Sequence, residues 1–189
     1  MLSTTVIERP LTLLVVDCTG AAASADADVA RRLLAVLAKR GVALVDAQPI
    51  VVADGAALAR HAGALAAASV VVVIGDAEFR PGACLDAWRW MSANVAGPTL
   101  VVACQFGDAD DSLATALLRT TRAFAPIALA PESTVAPRAG ALFLLKFLAE
   151  LHLHTDDGRV TGRMAWFAHK KAAELVRRRG LDASFGLRA

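Results

Sequence analysis

An α/β sandwich, a parallel sheet with helices on both faces, is the fold that this 189-residue sequence predicts. Three observations lead there. Short apolar, β-branched runs recur, the clearest being Val70 to Ile74 (VVVVI), and such runs read as strands buried on both faces. Stretches of helical periodicity separate them, so that strands and helices alternate. Two of the runs break at Asp and Gly into loops before a helix begins, the place where parallel sheets hold ligands.

Leu11 to Val16 (LTLLVV) is the first strand and stops at Asp17-Cys18-Thr19-Gly20. After the loop Ala21-Ala22-Ala23-Ser24, Asp26 or Asp28 caps a helix that runs to Lys39-Arg40 and is closed by Gly41. Val29, Leu33, Val36 and Leu37 form its packing stripe. Val42 to Asp46 is the second strand, Gln48 to Asp54 a connection, and Ala56 to Ala68 an Ala-rich helix. The third strand ends at Gly75-Asp76. Pro81-Gly82 then opens a helix in which Leu85, Trp88 and Met91 share a face, and Gly97-Pro98 ends it.

Thr99 to Ala103 is the fourth strand, running into Cys104-Gln105-Phe106-Gly107. Ser112 to Phe124 is helical, with Leu113, Ala116, Leu117 and Thr120 on one face, and Ile127 to Leu129 is a short fifth strand. Five strands joined by right-handed crossovers favour the order 2-1-3-4-5, a flavodoxin-like three-layer sandwich. No repeat or linker divides the chain, so residues 1–189 are read as one domain.

Beyond Pro137 the pattern changes. Ala139 to Leu153 is a helix with more large apolar side chains than one face can bury, among them Leu142, Leu145, Phe147, Leu148 and Leu151. Its surplus either meets a second subunit or is sandwiched within its own domain. Thr155-Asp156-Asp157-Gly158 is a turn, and Arg163 to Arg179 is a last amphipathic helix.

Composition narrows the function classes. A net charge of +2 is too small to point to nucleic acid, and the basic residues concentrated at Lys170-Lys171 and Arg177-Arg178-Arg179 read as a solvated helix end. No apolar run reaches the ~20 residues that span a bilayer, and the N-terminus lacks the pattern of a signal peptide. Cys18, Cys84 and Cys104 have no metal-type spacing and suit reduced thiols, so a soluble, cytoplasmic protein is expected.

Candidate chemistry gathers at the strand ends. The loop Cys18 to Ser24 sets small residues and the hydroxyls of Thr19 and Ser24 before a helix N-terminus, an arrangement able to offer N–H groups and hydroxyls to a phosphate. It has no basic residue, and Asp17 beside it repels anions. Cys84 lies in the first turn of a helix without a histidine near it in sequence, which favours packing over nucleophilic chemistry. His152 and His154 with Asp156 and Asp157 have the residue types of a metal site but straddle a helix end, where nothing fixes their geometry.

Pro81 to Trp90 (PGACLDAWRW) resembles the P-G-x-L-K-N-A-L-D-W segment of NADPH-dependent FMN reductases, with Pro81, Gly82, Ala87 and Trp90 in register. The resemblance implies a flavodoxin-like fold, bound FMN, NAD(P)H as electron donor, a small-molecule electron acceptor and a homodimer. It also implies a site. Thr19, Gly20 and Ser24 would hold the phosphate, and Asp76, Ala77, Glu78, Phe79 and Arg80 one side of the flavin ring, where Glu78-Phe79 is similar to the family's E-Y pair. Gln105, Phe106 and Gly107 stand where the family has a T-G-G-like loop beside the ring. Asp156-Asp157-Gly158-Arg159-Val160 is similar to its D-E-D-G-R-L segment. No side chain is assigned a catalytic role and no metal is implied.

Three departures bear on this. Cys18 replaces the glycine and Ala21 the arginine of the family's phosphate loop, and the ring loop is about two residues short. They leave a second expectation open, a flavodoxin-fold scaffold or interaction protein that has lost its cofactor.

Overall fold

A computed structural model of the chain describes residues 11–18, 27–46, 48–52, 55–76, 83–94, 100–106, 127–133, 135–154 and 160–188. The strands are β1 (Thr12–Asp17), β2 (Ala43–Leu44), β3 (Ile50–Val51), β4 (Val70–Asp76), β5 (Leu100–Phe106), β6 (Ile127–Pro131) and β7 (Phe185–Arg188). The helices are α1 (Ala27–Lys39), a 3-10 turn (Gly55–His61) leading into α2 (Ala62–Ala67), α3 (Ala83–Asn94), α4 (Pro137–Leu153) and α5 (Gly162–Arg178). The fold is α/β with a mostly parallel sheet. Its order is β2-β1-β4-β5-β6-β7, with β3 also on β1, and among the described residues only the β6–β7 pair is antiparallel.

Alternation along the strands sorts the core into two halves. Leu13, Val15, Val70, Val72, Ile74, Leu100, Val102, Ile127 and Leu129 face α1, α4 and α5. Leu14, Val16, Val71, Val73 and Val101 face the opposite layer, where Leu58, Leu65, Ala87 and Met91 cover them. Because both faces are covered, the strands read as continuous apolar runs.

The sheet differs from the five strands expected. The second strand is broken in two. Thr12 and Leu13 pair with Ala43 and Leu44, and Val16 and Asp17 pair with Ile50 and Val51. Between the fragments the Asp46 carboxylate accepts the Gln48 N–H at 3.0 Å, and Pro49 has no N–H to give a ladder, so the chain turns out and returns. Counting the fragments as one position, the parallel strands keep the expected order.

The other difference is β7, which adds an antiparallel edge to β6. It rests on contacts remote in sequence. Phe143 of α4 stacks on Phe185 with ring centroids 4.3 Å apart, and the His169 ring packs edge-on to Phe143 at 5.5 Å. His169 Nε2 donates to the Phe185 carbonyl at 2.6 Å. Gly186 accommodates Glu132, whose Oε1 would lie 2.7 Å from a Cβ there, while Ser184 Oγ donates to Glu132 Oε2 at 2.9 Å.

Helix ends follow local chemistry. Gly41 (φ 81°) closes α1 as expected, with its N–H on the Ala38 carbonyl and the Val42 N–H on that of Leu37, a Schellman turn. Gly180 (φ 65°) repeats the arrangement after α5, where Leu181 donates to Val176. Thr161 caps α5 by accepting the Met164 N–H at 3.3 Å. The predicted Ala56 to Ala68 helix instead begins as the 3-10 turn. The predicted helix Ser112 to Phe124 lies outside the described residues. On α5, Lys170, Lys171, Arg177 and Arg178 are exposed, and Arg178 is paired with Glu174 one turn earlier.

For α4 most of the surplus is buried within its own domain. The helix lies on the sheet between α1 and α5, and Phe143, Leu144, Phe147, Leu148 and Leu151 are buried. Leu142 and Leu145 are half-buried against the same core, and only Leu153 of this group is exposed. The helix therefore supplies no argument for a second subunit. Among the described residues, no helix is long and apolar enough to cross a membrane.

Two outcomes follow for stability. Phe143→Ala empties the site between α4 and β7 and should lower the free energy of unfolding by about 3–5 kcal/mol, read by urea denaturation. A loss below about 1 kcal/mol would show that this ring cluster does not anchor β7. Near the end of α4, Glu150 accepts from Lys146 and lies 3.4 Å from His154, and these partners hold its carboxyl below the usual glutamate range despite its burial. A lowered folded pKa stabilises the protein fully above the ordinary glutamate value, and that contribution is lost as pH falls through the lowered one. Glu150→Gln should thus flatten the acid limb of stability against pH, measured as Tm in steps from neutral to strongly acidic pH.

Candidate functional site

The site expected at the carboxyl edge of the sheet is set up from the opposite end. Thr12 and Ser69 clamp β1 to β4 where both strands begin. The Thr12 N–H donates to Ser69 Oγ at 2.8 Å, and the Ser69 N–H donates to Thr12 Oγ1 at 3.0 Å. The Thr12 hydroxyl donates in turn to the Ala67 carbonyl at 3.1 Å. Ser69 is fully buried, and these bonds satisfy it. With the start of the register held, Leu13 lies beside Val70 and Asp17 beside Ile74.

The carboxyl ends then fall at defined heights. β1 stops at Asp17, while β4 and β5 continue together through Gly75 beside Gln105 to Asp76 beside Phe106. The Cys18 N–H donates to the Ile74 carbonyl at 2.7 Å, and the Val52 N–H donates to that of Asp17 at 3.0 Å. The chain therefore leaves three neighbouring parallel strands on one edge, after Cys18, Asp76 and Phe106.

Of the expected site residues, Asp76, Gln105 and Phe106 are placed by their backbone at the last two levels of β4 and β5. Thr19, Gly20, Ser24, Ala77, Glu78, Phe79, Arg80 and Gly107 lie outside the described residues. The topology joins the three segments only through the strands from which they depart.

Two residues at this edge have roles that local sequence does not reveal. Cys18, at 1% exposure, belongs to the core beneath α2 and α3. Its thiol packs where the resembling family has glycine. Asp17 is 3% exposed and follows Leu13 and Val15 on the α1 and α4 face. A buried carboxyl group thus stands one residue before the segment expected to hold phosphate. Its position at a strand end was the available signal.

The segment that carries the resemblance turns out to be partly a packing motif. Ala87 is fully buried against the sheet and Trp90 is half-buried against the same core, so two of the four matched residues serve the docking of α3. At the other end of the molecule, His154 lies beside Glu150 and edge-on to Phe167, centroids 4.9 Å apart. Asp156 and Asp157 lie outside the described residues. Among those described, no three His, Cys, Asp or Glu side chains are grouped to hold a metal ion.

Compared with known proteins, the sequence matches no family model and no curated protein. A functional assignment rests on the residues and on the arrangement of the strand ends.

Proposed function

We propose that this protein is an FMN-binding oxidoreductase of flavodoxin-like fold, similar to NAD(P)H-dependent FMN reductases. The observation that carries the reading is the common edge: loops 19–24, 77–80 and the segment after Phe106 depart from three adjacent parallel strands. An open α/β sheet binds its ligands outside the carboxyl ends of its strands. FMN supplies the redox chemistry when bound, taking hydride from NAD(P)H and passing electrons to a flavin, quinone or other small acceptor. The protein's part is binding and orientation. Thr19, Gly20 and Ser24 hold the phosphate by hydroxyl and N–H groups, and residues 76–80 with Gln105, Phe106 and Gly107 flank the ring. The resemblance adds a homodimer and a cytoplasmic setting.

Asp17 favours a second reading. A buried carboxylate next to a loop without arginine opposes a dianionic phosphate, as expected of a flavodoxin-fold protein that has given up its cofactor for an interaction role.

Titration of purified protein with FMN, followed by flavin fluorescence, separates the two. Under the first reading the wild type binds and Ser24→Asp abolishes binding. Ala21→Arg should tighten it by about 1.5–3 kcal/mol, the range of hydrogen bonds to charged groups. Asp17→Asn, which removes the adjacent charge, should tighten it several-fold. No binding by the wild type, with binding gained in the Ala21→Arg/Asp17→Asn double variant, would favour the second reading. No binding by any of them would overturn the assignment of this edge to FMN.

A further inference from the structure

An open groove of about 750 Å³ runs between α1 and α4 on the outside of the helix layer, a size typical of sites for small organic ligands. Its floor is apolar, formed by Leu33 and Val36 of α1 and by Leu142 and Leu145 of α4. The last two are the half-buried remainder of the helix whose apolar surplus marks it in the sequence. Around the floor stand Arg32, Arg138 and Arg179, all exposed, and no acidic side chain is among the described residues that line it.

Arg138 and Arg179 bring two exposed positive charges to the hollow, and Leu142 and Leu145 beside them remain partly wet. One kind of occupant answers both conditions, an anionic head on an apolar chain. The planar guanidinium fork favours carboxylate or phosphate oxygens. A second copy of the same face is disfavoured, because a two-fold contact would set arginines against arginines. The groove is also held in shape. Arg138 lies in the first turn of α4, and the Schellman turn after α5 fixes the backbone of Arg179 and Leu181. Along α4 the lining runs from Pro137 to Leu145, about 12 Å at 1.5 Å per residue. That length suits a chain of medium size.

We propose that this groove binds a medium-chain acyl carboxylate, its chain on the Leu142 and Leu145 floor and its carboxylate among the arginines. The groove's lining shares no residue with the proposed flavin site, and its test does not involve flavin.

The experiment is calorimetric titration of the whole protein with decanoate, octanoate and decan-1-ol below micelle-forming concentrations. Decanoate should bind at one site, about 15-fold more tightly than octanoate, given ~0.8 kcal/mol for each of two buried methylenes. Decan-1-ol should bind at least tenfold more weakly than decanoate. The Arg138→Gln/Arg179→Gln variant should lose at least tenfold in decanoate affinity while keeping the decanoate-to-octanoate ratio. Leu142→Asn should reduce that ratio instead. Unchanged far-UV circular dichroism and Tm in the arginine variant, whose substitutions are at exposed positions, ties its loss to the head group.

Absence of saturable decanoate binding at 1 mM would overturn the proposal. So would binding at several sites that ignores the arginine variant, which is adsorption. A protein that is dimeric by light scattering, becomes monomeric on Leu142→Asp and binds no decanoate would show that a second copy covers the groove, and would also overturn it.

Discussion

The complete burial of β4 is the constraint from which the rest of the molecule follows. Val70 to Ile74 are all at 0% exposure, so neither face of the strand meets water. Both flanking positions must then be filled by strands, since a buried N–H or carbonyl without a partner is costly. β1 and β5 fill them in parallel. Parallel neighbours need crossover connections, and those crossovers carry the helices that cover the two faces. The Thr12–Ser69 clamp adds the register. Slipping β1 by one residue would exchange Leu13 and Val15 for Leu14 and Val16 and disorder both halves of the core at once.

How much of this was legible in the sequence depended on whether the cause was local. The β-branched runs of β1, β4 and β5 identify themselves, because burial on both faces demands that composition. Leu33, Leu37 and Gly41 likewise announce α1 and its end. β7 does not, since FGLR has little strand character of its own and is held by Phe143, His169 and Glu132, all distant in sequence. The break between β2 and β3 has a visible cause in Asp46 and Pro49, but the return at Ile50 depends on β1 lying alongside. For α4, the composition was informative and the destination was not. Whether its leucines meet another subunit or their own domain depends on α1 and α5 closing over it, which no property of the helix records.

The candidate site shows the same division. That strand ends should lie together was legible from the alternation of elements, and β1, β4 and β5 do end side by side. What the side chains do there was less so. Cys18 looks like a loop residue and packs in the core, while Asp17 looks like a strand terminator and is a buried carboxylate. Ala87 and Trp90 match a flavin-binding family in register, yet both are occupied in seating α3. The edge residues carry the functional information, and these two helix residues carry packing.

The antiparallel strand at the end of the sheet also bears on how the chain is made. Ser184 and Glu132 meet across 52 positions of sequence, so β6 leaves the ribosome well before the strand that covers its free edge. During that interval β6, with five buried residues in the finished fold, presents unpaired N–H and carbonyl groups and an apolar face. Phe143 is also without the ring that stacks on it. This is the window in which nascent chains are most open to pairing with one another, and it closes only when the β7 segment folds back. The protein's vulnerability during synthesis is therefore concentrated at one sheet edge, and four residues near the end of the sequence determine how long it lasts.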